Sequence, residues 1–105
     1  FGFDIDEHSI TVAKRNAKMN RSRAKFAVGD LYKDKLPQAD IVFANLLANL
    51  IADNVEKLWK SVAPGGVLLL SGLLKEELEK IAKLFDAPAL HYKLGKWGAL
   101  AIMKE

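Results

Sequence analysis

The chain contains no cysteine and only two histidines, His8 and His91, among its 105 residues. The absence of thiols excludes disulfides, thiolate catalysis and zinc–sulfur sites. Two separated imidazoles are too few for a histidine-rich metal site, so no metal is predicted. A chain without cysteine is compatible with a reducing compartment, and we expect a cytoplasmic protein.

Long hydrophobic runs are also missing. Polar side chains at Asn45, Asn49, Asp53 and Asn54 interrupt the longest apolar stretch, and no segment approaches the roughly 20 apolar residues that span a bilayer. The first residues do not show the charged-then-apolar pattern of a signal peptide. We therefore expect no membrane partner. The chain opens on Phe1 rather than Met, within strand-like sequence, which indicates a cut or processed chain.

Charge of either sign is moderate. The chain is 50% hydrophobic and 28% charged, with a net charge of +3, which is typical of a globular protein. Its length suits one domain, and we interpret residues 1–105 as one domain. The densest basic stretch runs from Lys14 to Lys25. It could meet phosphate, although a solvated helix face is the favoured interpretation. No aromatic interleaving is present, so no direct nucleic-acid motif is identified.

Apolar spacing predicts alternating strands and helices. The first predicted strand is buried and ends at Asp6, and the other strands cover 25–28, 40–44, 67–70, 90–94 and 97–103. The predicted helices cover 7–20, 46–62 and 75–84, and the last of them is expected to turn Leu78, Ile81, Ala82 and Phe85 inward. Asp6 or Ser9 is expected to cap the first helix. The run Asp40–Ala44 favours a central strand. Pro64-Gly65-Gly66 is expected to end the second helix, and Ser71-Gly72 to break the strand after it.

This order predicts an α/β fold with a mostly parallel, doubly wound (Rossmann-like) sheet. The last two strands are joined only by Gly95-Lys96, so they are expected to form an antiparallel pair. In an open parallel sheet, ligands bind beyond the carboxyl ends of the strands. The residues that end the strands are therefore the candidates for function.

Asp4 is the first candidate, because a carboxylate just after a strand can accept both hydroxyls of a ribose. The alternative is that Asp4 and Asp6 merely cap the next helix, although capping needs only one carboxylate. Asp30 follows Gly29 and is equally well explained as a turn residue. Asn45 ends the third strand before a helix, where a plain N-cap is a strong competitor. Ser71-Gly72 is interpreted as a cap and a tight turn.

Five sequence strings together resemble a known family. They are Gly2-Phe3-Asp4-Ile5-Asp6, Val28-Gly29-Asp30-Leu31, Ala44-Asn45-Leu46-Leu47-Ala48, the run from Pro64 to Leu74, and Gly95-Lys96-Trp97. In this order they resemble the carboxy-terminal part of the bacterial methyltransferases that modify a large-subunit ribosomal protein, protein eleven. That family belongs to the class I S-adenosylmethionine-dependent methyltransferases. The Ala-Asn-Leu-Leu and Ser-Gly-Leu-Leu strings are the specific ones.

The resemblance implies a role for each matching residue. Asp4 would bind the ribose hydroxyls of S-adenosylmethionine, and Asp30 would meet the adenine amino group. Asn45 would stand beside the methyl group, contribute to cofactor binding and orient the acceptor nitrogen. Trp97 would line the substrate side, where the family usually has Glu before this Trp and the chain has Lys96. The implied partners are S-adenosylmethionine and, in the complete enzyme, a ribosomal protein.

The resemblance also implies a missing piece: the first strand of such domains, with its Gly-rich loop, has no counterpart in this chain. Three hypotheses follow. The chain is part of a methyltransferase and inactive alone, or it is a non-catalytic α/β module that forms a homodimer through unpaired strand edges, or it is a nicotinamide dinucleotide domain. Asn45 and the terminal antiparallel pair count against the third. For the first, the carboxylates of Asp4 and Asp30 and the amide of Asn45 must converge on one rim of the sheet.

Overall fold

Strands and helices alternate along the chain in the predicted order. The computed structural model describes residues 1–105 and divides them into two compact units, Phe1–Lys35 and Leu36–Glu105. The strands are β1 (Gly2–Asp4), β2 (Phe26–Val28), β3 (Ala39–Asn45), β4 (Val62–Leu74), β5 (Ala89–Leu94) and β6 (Trp97–Met103), and the helices are α1 (Glu7–Met19), α2 (Ala48–Asp53), α3 (Val55–Lys60) and α4 (Leu78–Lys83). A single 3-10 turn, Lys75–Glu77, precedes α4. None of the helices combines the length and the apolar composition of a bilayer-spanning segment.

The unit formed by residues 1–35 consists of β1 and β2, which pair in parallel, and α1. Asp6 is the N-cap of α1, which confirms one of the two predicted caps. The other predicted cap, Ser9, is wrong, because the Ser9 hydroxyl donates to the Asp6 carboxylate at 2.8 Å. The expectation of a buried opening strand is also wrong, since Phe1 and Ile5 are exposed. β1 has three residues and a backbone ladder on one side only, too little to bury its flanks.

The unit formed by residues 36–105 contains a four-stranded sheet in the order β3-β4-β6-β5. β3 is parallel to β4, and β6 lies antiparallel between β4 and β5. Three strands therefore point the same way and one runs against them. The predictions of an α/β fold and a terminal antiparallel pair are confirmed. Of the three pairings in this sheet, however, only β3–β4 is parallel, so the sheet is not mostly parallel as predicted. The prediction that residues 40–44 form a central strand is wrong for this sheet, because β3 lies at its edge.

One face of this sheet carries the core. The buried residues on that face alternate along β4 and β6, and the helices supply the rest: Leu68, Leu70, Leu100 and Ile102 from the strands, and Ile51, Leu58, Leu78, Ile81 and Phe85 from the helices and the residues after α4. Gly98 allows α4 to approach closely, since a Cβ atom there would lie 2.7 Å from Leu78 Cδ1. The apolar spacing predicted for the helix near 75–84 is therefore confirmed.

The predicted helix 46–62 is two helices rather than one. Asn54 separates α2 from α3 with a φ angle of −128°, and its buried side chain donates to the Leu50 carbonyl at 2.8 Å. The helix ends before Ser61, so Pro64-Gly65-Gly66 does not end it as predicted. Those residues lie inside β4, where the backbone of Gly65 and Gly66 bonds to Lys104.

Ser71-Gly72 does not break the strand as predicted. β4 continues to Leu74, and its register against β6 shifts between Leu70 and Leu73. Gly72 sits in this irregularity with a φ angle of +79°, a conformation that glycine adopts without a steric penalty. The prediction of a cap and tight turn is replaced by a bulge within a continuous strand.

Candidate functional site

Asp4 ends β1 and Asp30 follows β2, so both lie at the same end of the small sheet. Asp4 is opposite Val28 in the parallel ladder, and the Gly29 amide donates to the Asp4 carbonyl at 3.0 Å. A Cβ atom on Gly29 would lie 2.7 Å from the Phe3 ring. The backbone that follows β2 therefore packs closely against β1. The sequence placed both carboxylates at strand ends, and the structure brings them to the same end of one small sheet.

Asp4, the last residue of β1, and Asp6, two positions later, accept hydrogen bonds from different groups. Asp6 accepts bonds from the His8 amide at 3.0 Å and from the Ser9 hydroxyl, and it is the helix cap. The Ser9 hydroxyl, followed by the His8 amide, lowers the pKa of the Asp6 carboxyl below its ordinary value of 3.8. Asp4 does not cap α1; its Oδ1 accepts from the Asp6 amide at 2.9 Å. Capping therefore does not account for Asp4.

Asp30 is built into a turn. Its Oδ1 accepts from the Tyr32 amide at 2.9 Å, and its own amide donates to the Asp34 carboxylate at 2.7 Å. Its carbonyl accepts from the amides of Lys33 and Asp34. The interpretation of Asp30 as a turn residue thus has direct support, and a contact with adenine stays a prediction that would add to this role.

Asn45 is the last residue of β3, directly opposite Ser71 of β4. The competing interpretation of Asn45 as a helix N-cap is wrong, because the N-cap of α2 is Leu47, which makes no side-chain capping bond. The Asn45 side chain is exposed, and its Oδ1 lies where a Cβ atom of Gly72 would be. Glycine at 72 therefore leaves the space that this amide occupies.

Trp97 lies at the same end of the four-stranded sheet. It begins β6 opposite Leu74, the last residue of β4, which is three positions beyond Ser71. Trp97 is 51% exposed, and the Lys96 ammonium lies 5.1 Å from the centroid of its ring. The carboxyl ends of β3 and β4 and the start of β6 thus carry Asn45, Gly72 and Trp97 at one rim.

Sequence reasoning placed Gly72 at a strand end but interpreted it as part of a tight turn, and so missed its close approach to Asn45. Its signal was present, since a glycine that directly follows an apolar strand can mark a bulge or a close approach as well as a turn. The predicted convergence of Asp4 and Asp30 with Asn45 stays a prediction, as do the individual roles of these residues.

Three comparisons with known proteins agree with one another. Residues 1–101 match the family model described as Ribosomal protein L11 methyltransferase (PrmA). A ribosomal protein L11 methyltransferase of Streptococcus equi subsp. zooepidemicus (strain H70) is 31% identical over 110 aligned positions, covering 99% of this chain and 35% of that protein. The corresponding protein of Streptococcus pneumoniae (strain P1031) is 28% identical with the same coverage. The chain therefore spans 35% of the length of these curated relatives.

Solved structures show the same fold. The ribosomal protein L11 methylase of Lactobacillus delbrueckii subsp. bulgaricus superposes with a TM-score of 0.85 and 28% identity, covering 98% of this chain and 56% of that one. An RNA methyltransferase of Salinibacter ruber, solved with S-adenosyl-L-homocysteine, has a TM-score of 0.77 at 20% identity, covering 99% of this chain and 65% of that one. The second likeness shows the fold alone. Because the family model matches residues 1–101 of this 105-residue chain, the chain belongs to the ribosomal protein L11 methyltransferase family.

Proposed function

We propose that this chain is part of the catalytic domain of an S-adenosylmethionine-dependent protein methyltransferase that methylates amino groups of ribosomal protein L11 in the cytoplasm. Membership of the family, matched over residues 1–101, carries the proposal. The chain contributes two carboxylates that bind the cofactor, those of Asp4 and Asp30, and the Asn45 amide beside the transferred methyl group. Alone it is inactive, since it spans 35% of the length of its relatives.

The residues present fit the cofactor. Asp4 is at the end of a parallel strand and is not the helix cap, so its carboxylate is suited to accept the two hydroxyls of a ribose. Asp30 follows β2 at the same end of the sheet and would meet the adenine amino group. S-adenosylmethionine, when bound, supplies an activated methyl group on a sulfonium.

Asn45 orients the amine that accepts the methyl group. The attack of a neutral amine on a sulfonium disperses charge, so it requires alignment more than acid or base catalysis, and alignment can contribute roughly 7–11 kcal/mol. The Asn45 amide oxygen can accept a hydrogen bond from the amine and thereby fix the direction of its lone pair. Gly72 keeps the space that this orientation needs. Trp97 lines the acceptor side from the same rim of the sheet.

A strand and a Gly-rich turn encoded upstream of β1 are proposed to complete the cofactor site. The open edges support this: β1 pairs only with β2, and β3 pairs only with β4. A further strand would satisfy the unpaired backbone groups at these edges. We accordingly expect the isolated chain to bind S-adenosylmethionine weakly or not at all, and micromolar affinity in calorimetry would contradict this.

The function is tested in the chain extended by the upstream residues of its gene. Methyl transfer from labelled S-adenosylmethionine to ribosomal protein L11 is measured for the parent, Asp4→Ala and Asn45→Ala. Asp4→Ala should weaken cofactor binding about tenfold or more, because it removes hydrogen bonds to a charged acceptor. Asn45→Ala should lower kcat with a smaller effect on cofactor affinity.

Two exposed residues of matching type serve as controls. Asp86→Ala removes a carboxylate between α4 and β5, and Gln38→Ala removes an amide just before β3, at the end of that strand opposite to Asn45. Both variants should retain parental activity. No transfer to ribosomal protein L11 by the extended parent would refute the function, and equal losses in the variants and their controls would refute the assigned residues.

A further inference from the structure

Positive charge is segregated on one part of the chain. Residues 8–29 contain six Lys and Arg residues and no Asp or Glu, although the whole chain is nearly balanced with 16 basic and 13 acidic residues. The six are Lys14, Arg15, Lys18, Arg21, Arg23 and Lys25. We propose that these side chains, on α1 and the loop after it, form a surface that binds the phosphate backbone of RNA.

The six cations have no partners within the protein. All are exposed, and none forms an ion pair with a carboxylate of the chain. Lys14 and Lys18 are one helical turn apart, where like charges repel each other and disfavour the helix. The buried side of α1, around Ile10, does not use them. Their charge therefore faces outward uncompensated, available to an external anion.

Arg21 adds an independent observation. It has a φ angle of +54°, the only such value at a residue other than glycine. Its amide donates to the Lys18 carbonyl at 3.2 Å and the Ser22 amide to the Ala17 carbonyl at 2.8 Å. This is a Schellman helix end, where the left-handed position usually holds glycine because a Cβ is unfavourable there. An arginine at this position weakens the helix end, which points to a role for its guanidinium outside the fold.

A phosphate backbone suits this surface better than a lipid bilayer. Membrane-binding helices place large apolar residues beside their cations, whereas the exposed neighbours here include Thr11, Asn16, Asn20 and Ser22, with Met19 as the apolar exception. The absence of interleaved aromatics fits binding to phosphates without base stacking. The choice of RNA rests on the proposed function, because the substrate is a component of the ribosome.

Binding is tested by fluorescence anisotropy with a labelled single-stranded RNA of mixed sequence, titrated with the full chain at several salt concentrations. If about four phosphates are contacted, the logarithm of the affinity should fall with the logarithm of the salt concentration with a slope near −3. The triple variant Lys14→Gln/Lys18→Gln/Arg21→Gln should flatten this slope by about 2 and weaken binding at least about tenfold at low salt.

The matched control removes three exposed lysines from elsewhere, Lys60→Gln/Lys75→Gln/Lys93→Gln, with the same change in net charge. It should retain most of the affinity and slope. Equal losses in both triple variants would overturn the proposal, and so would an absence of RNA binding or a preference for phosphatidylserine vesicles over RNA. Methyl transfer is not part of this assay, so failure of the proposed function would be seen separately.

Arg21→Gly separates a role in binding from a role in folding. Glycine should relieve the left-handed backbone and raise the thermal midpoint by roughly 4 °C, while the loss of the guanidinium should weaken RNA binding several-fold. Arg21→Lys should retain binding without the gain in stability. If Arg21→Gly binds RNA as tightly as the parent, Arg21 does not belong to the proposed surface and this argument for it is overturned.

Discussion

At the scale of single residues, the space beside Asn45 depends on Gly72. A Cβ atom at 72 would collide with the Asn45 amide oxygen, whereas Gly65, also in β4, has open space around it. Both glycines are left-handed, with φ angles of +79° and +83°. The pair therefore separates backbone strain from displacement of the Asn45 side chain.

Gly72→Ala and Gly65→Ala should each lower the free energy of unfolding by about 1–2 kcal/mol, because each forces an alanine into a left-handed conformation. Only Gly72→Ala should also lower methyl transfer in the extended enzyme, by about 10- to 100-fold, because it moves the Asn45 side chain, which is proposed to position the amine. Urea unfolding and kcat measurements check the two parts. Equal activities for both variants would show that the Asn45 orientation does not matter.

The residues also show what a sequence can and cannot reveal. The apolar spacing at Leu78, Ile81 and Phe85 predicted their burial correctly. Residues three or four positions apart share one face of a helix, and the residue types alone show that this face is apolar. The same spacing continued from Leu46 through Val62 and hid the break at Asn54, a residue that is neither proline nor glycine. That break depends on a buried bond from the Asn54 side chain to a backbone carbonyl, which is a tertiary feature.

At the scale of elements, the start of α1 depends on the charge of Asp6. Hydrogen bonds from Ser9 and His8 lower the pKa of this carboxyl below 3.8, so the folded state favours its ionised form. The stabilisation that ionised Asp6 gives is therefore present above pH 3.8, the ordinary pKa of the group. It is lost as the pH falls through the lower pKa that Asp6 has in the folded state.

Asp6→Ala should consequently reduce the helicity and thermal midpoint of the chain near neutral pH, and the difference from the parent should shrink toward the most acidic conditions. Circular dichroism across the pH range measures this. Ser9→Ala should raise the pKa of Asp6 in an NMR titration, since the Ser9 hydroxyl is the largest cause of the shift. A difference between parent and Asp6→Ala that is independent of pH would contradict this account.

The end of α3 depends on a lysine distant in sequence. Lys104 Nζ donates to the carbonyls of Trp59 and Val62 at 2.7 and 2.8 Å and lies 5.2 Å from the Trp59 ring centroid. Lys104 thus satisfies one carbonyl in the last turn of α3 and one at the start of β4. Its side chain is partly buried, so water replaces these bonds poorly.

Lys104→Met should lower the free energy of unfolding by about 2 kcal/mol, because it removes two charge-assisted hydrogen bonds while keeping the aliphatic packing. Lys83→Met is the control: Lys83 forms an exposed ion pair with Glu79 at 3.3 Å, and its loss should cost no more than about 0.5 kcal/mol. Urea denaturation of both variants measures the difference. Similar losses for the two lysines would show that the Lys104 bonds contribute little.

Element boundaries were predictable where local rules decide them. β6 was predicted to its residue limits, because Gly95-Lys96 leaves only a tight antiparallel turn and the following residues are β-formers and small apolar residues. The extent of β4 was not predicted, because its first residues are held by pairing with Ala39 and Lys104 on neighbouring segments. Pro64, Gly65 and Gly66 favour a helix end locally, and tertiary pairing overrides that preference.

At the scale of the whole molecule, the edge of the larger sheet is exposed. β3 has a free edge, and Ile41 and Phe43 on it are 66% and 68% exposed. Natural edge strands are usually protected by Lys, Pro or bulged backbone. β3 carries Asp40 as its only charge and contains neither lysine nor proline, although its register against β4 shifts near Asp40. The isolated chain is therefore expected to associate through this edge.

Sedimentation velocity over micromolar to millimolar concentrations should show reversible dimers or larger species. Ile41→Lys should weaken this association about tenfold or more, because a lysine in the middle of the edge opposes pairing with a second strand. Since Ile41 is mostly exposed, the substitution removes little packing. Leu94→Lys, which changes a residue 85% exposed beside the β5–β6 turn, should leave association unchanged. A parent chain that is strictly monomeric at the highest concentration would contradict association through the β3 edge. Adding the upstream residues should abolish association if those residues supply the strand that pairs with β3.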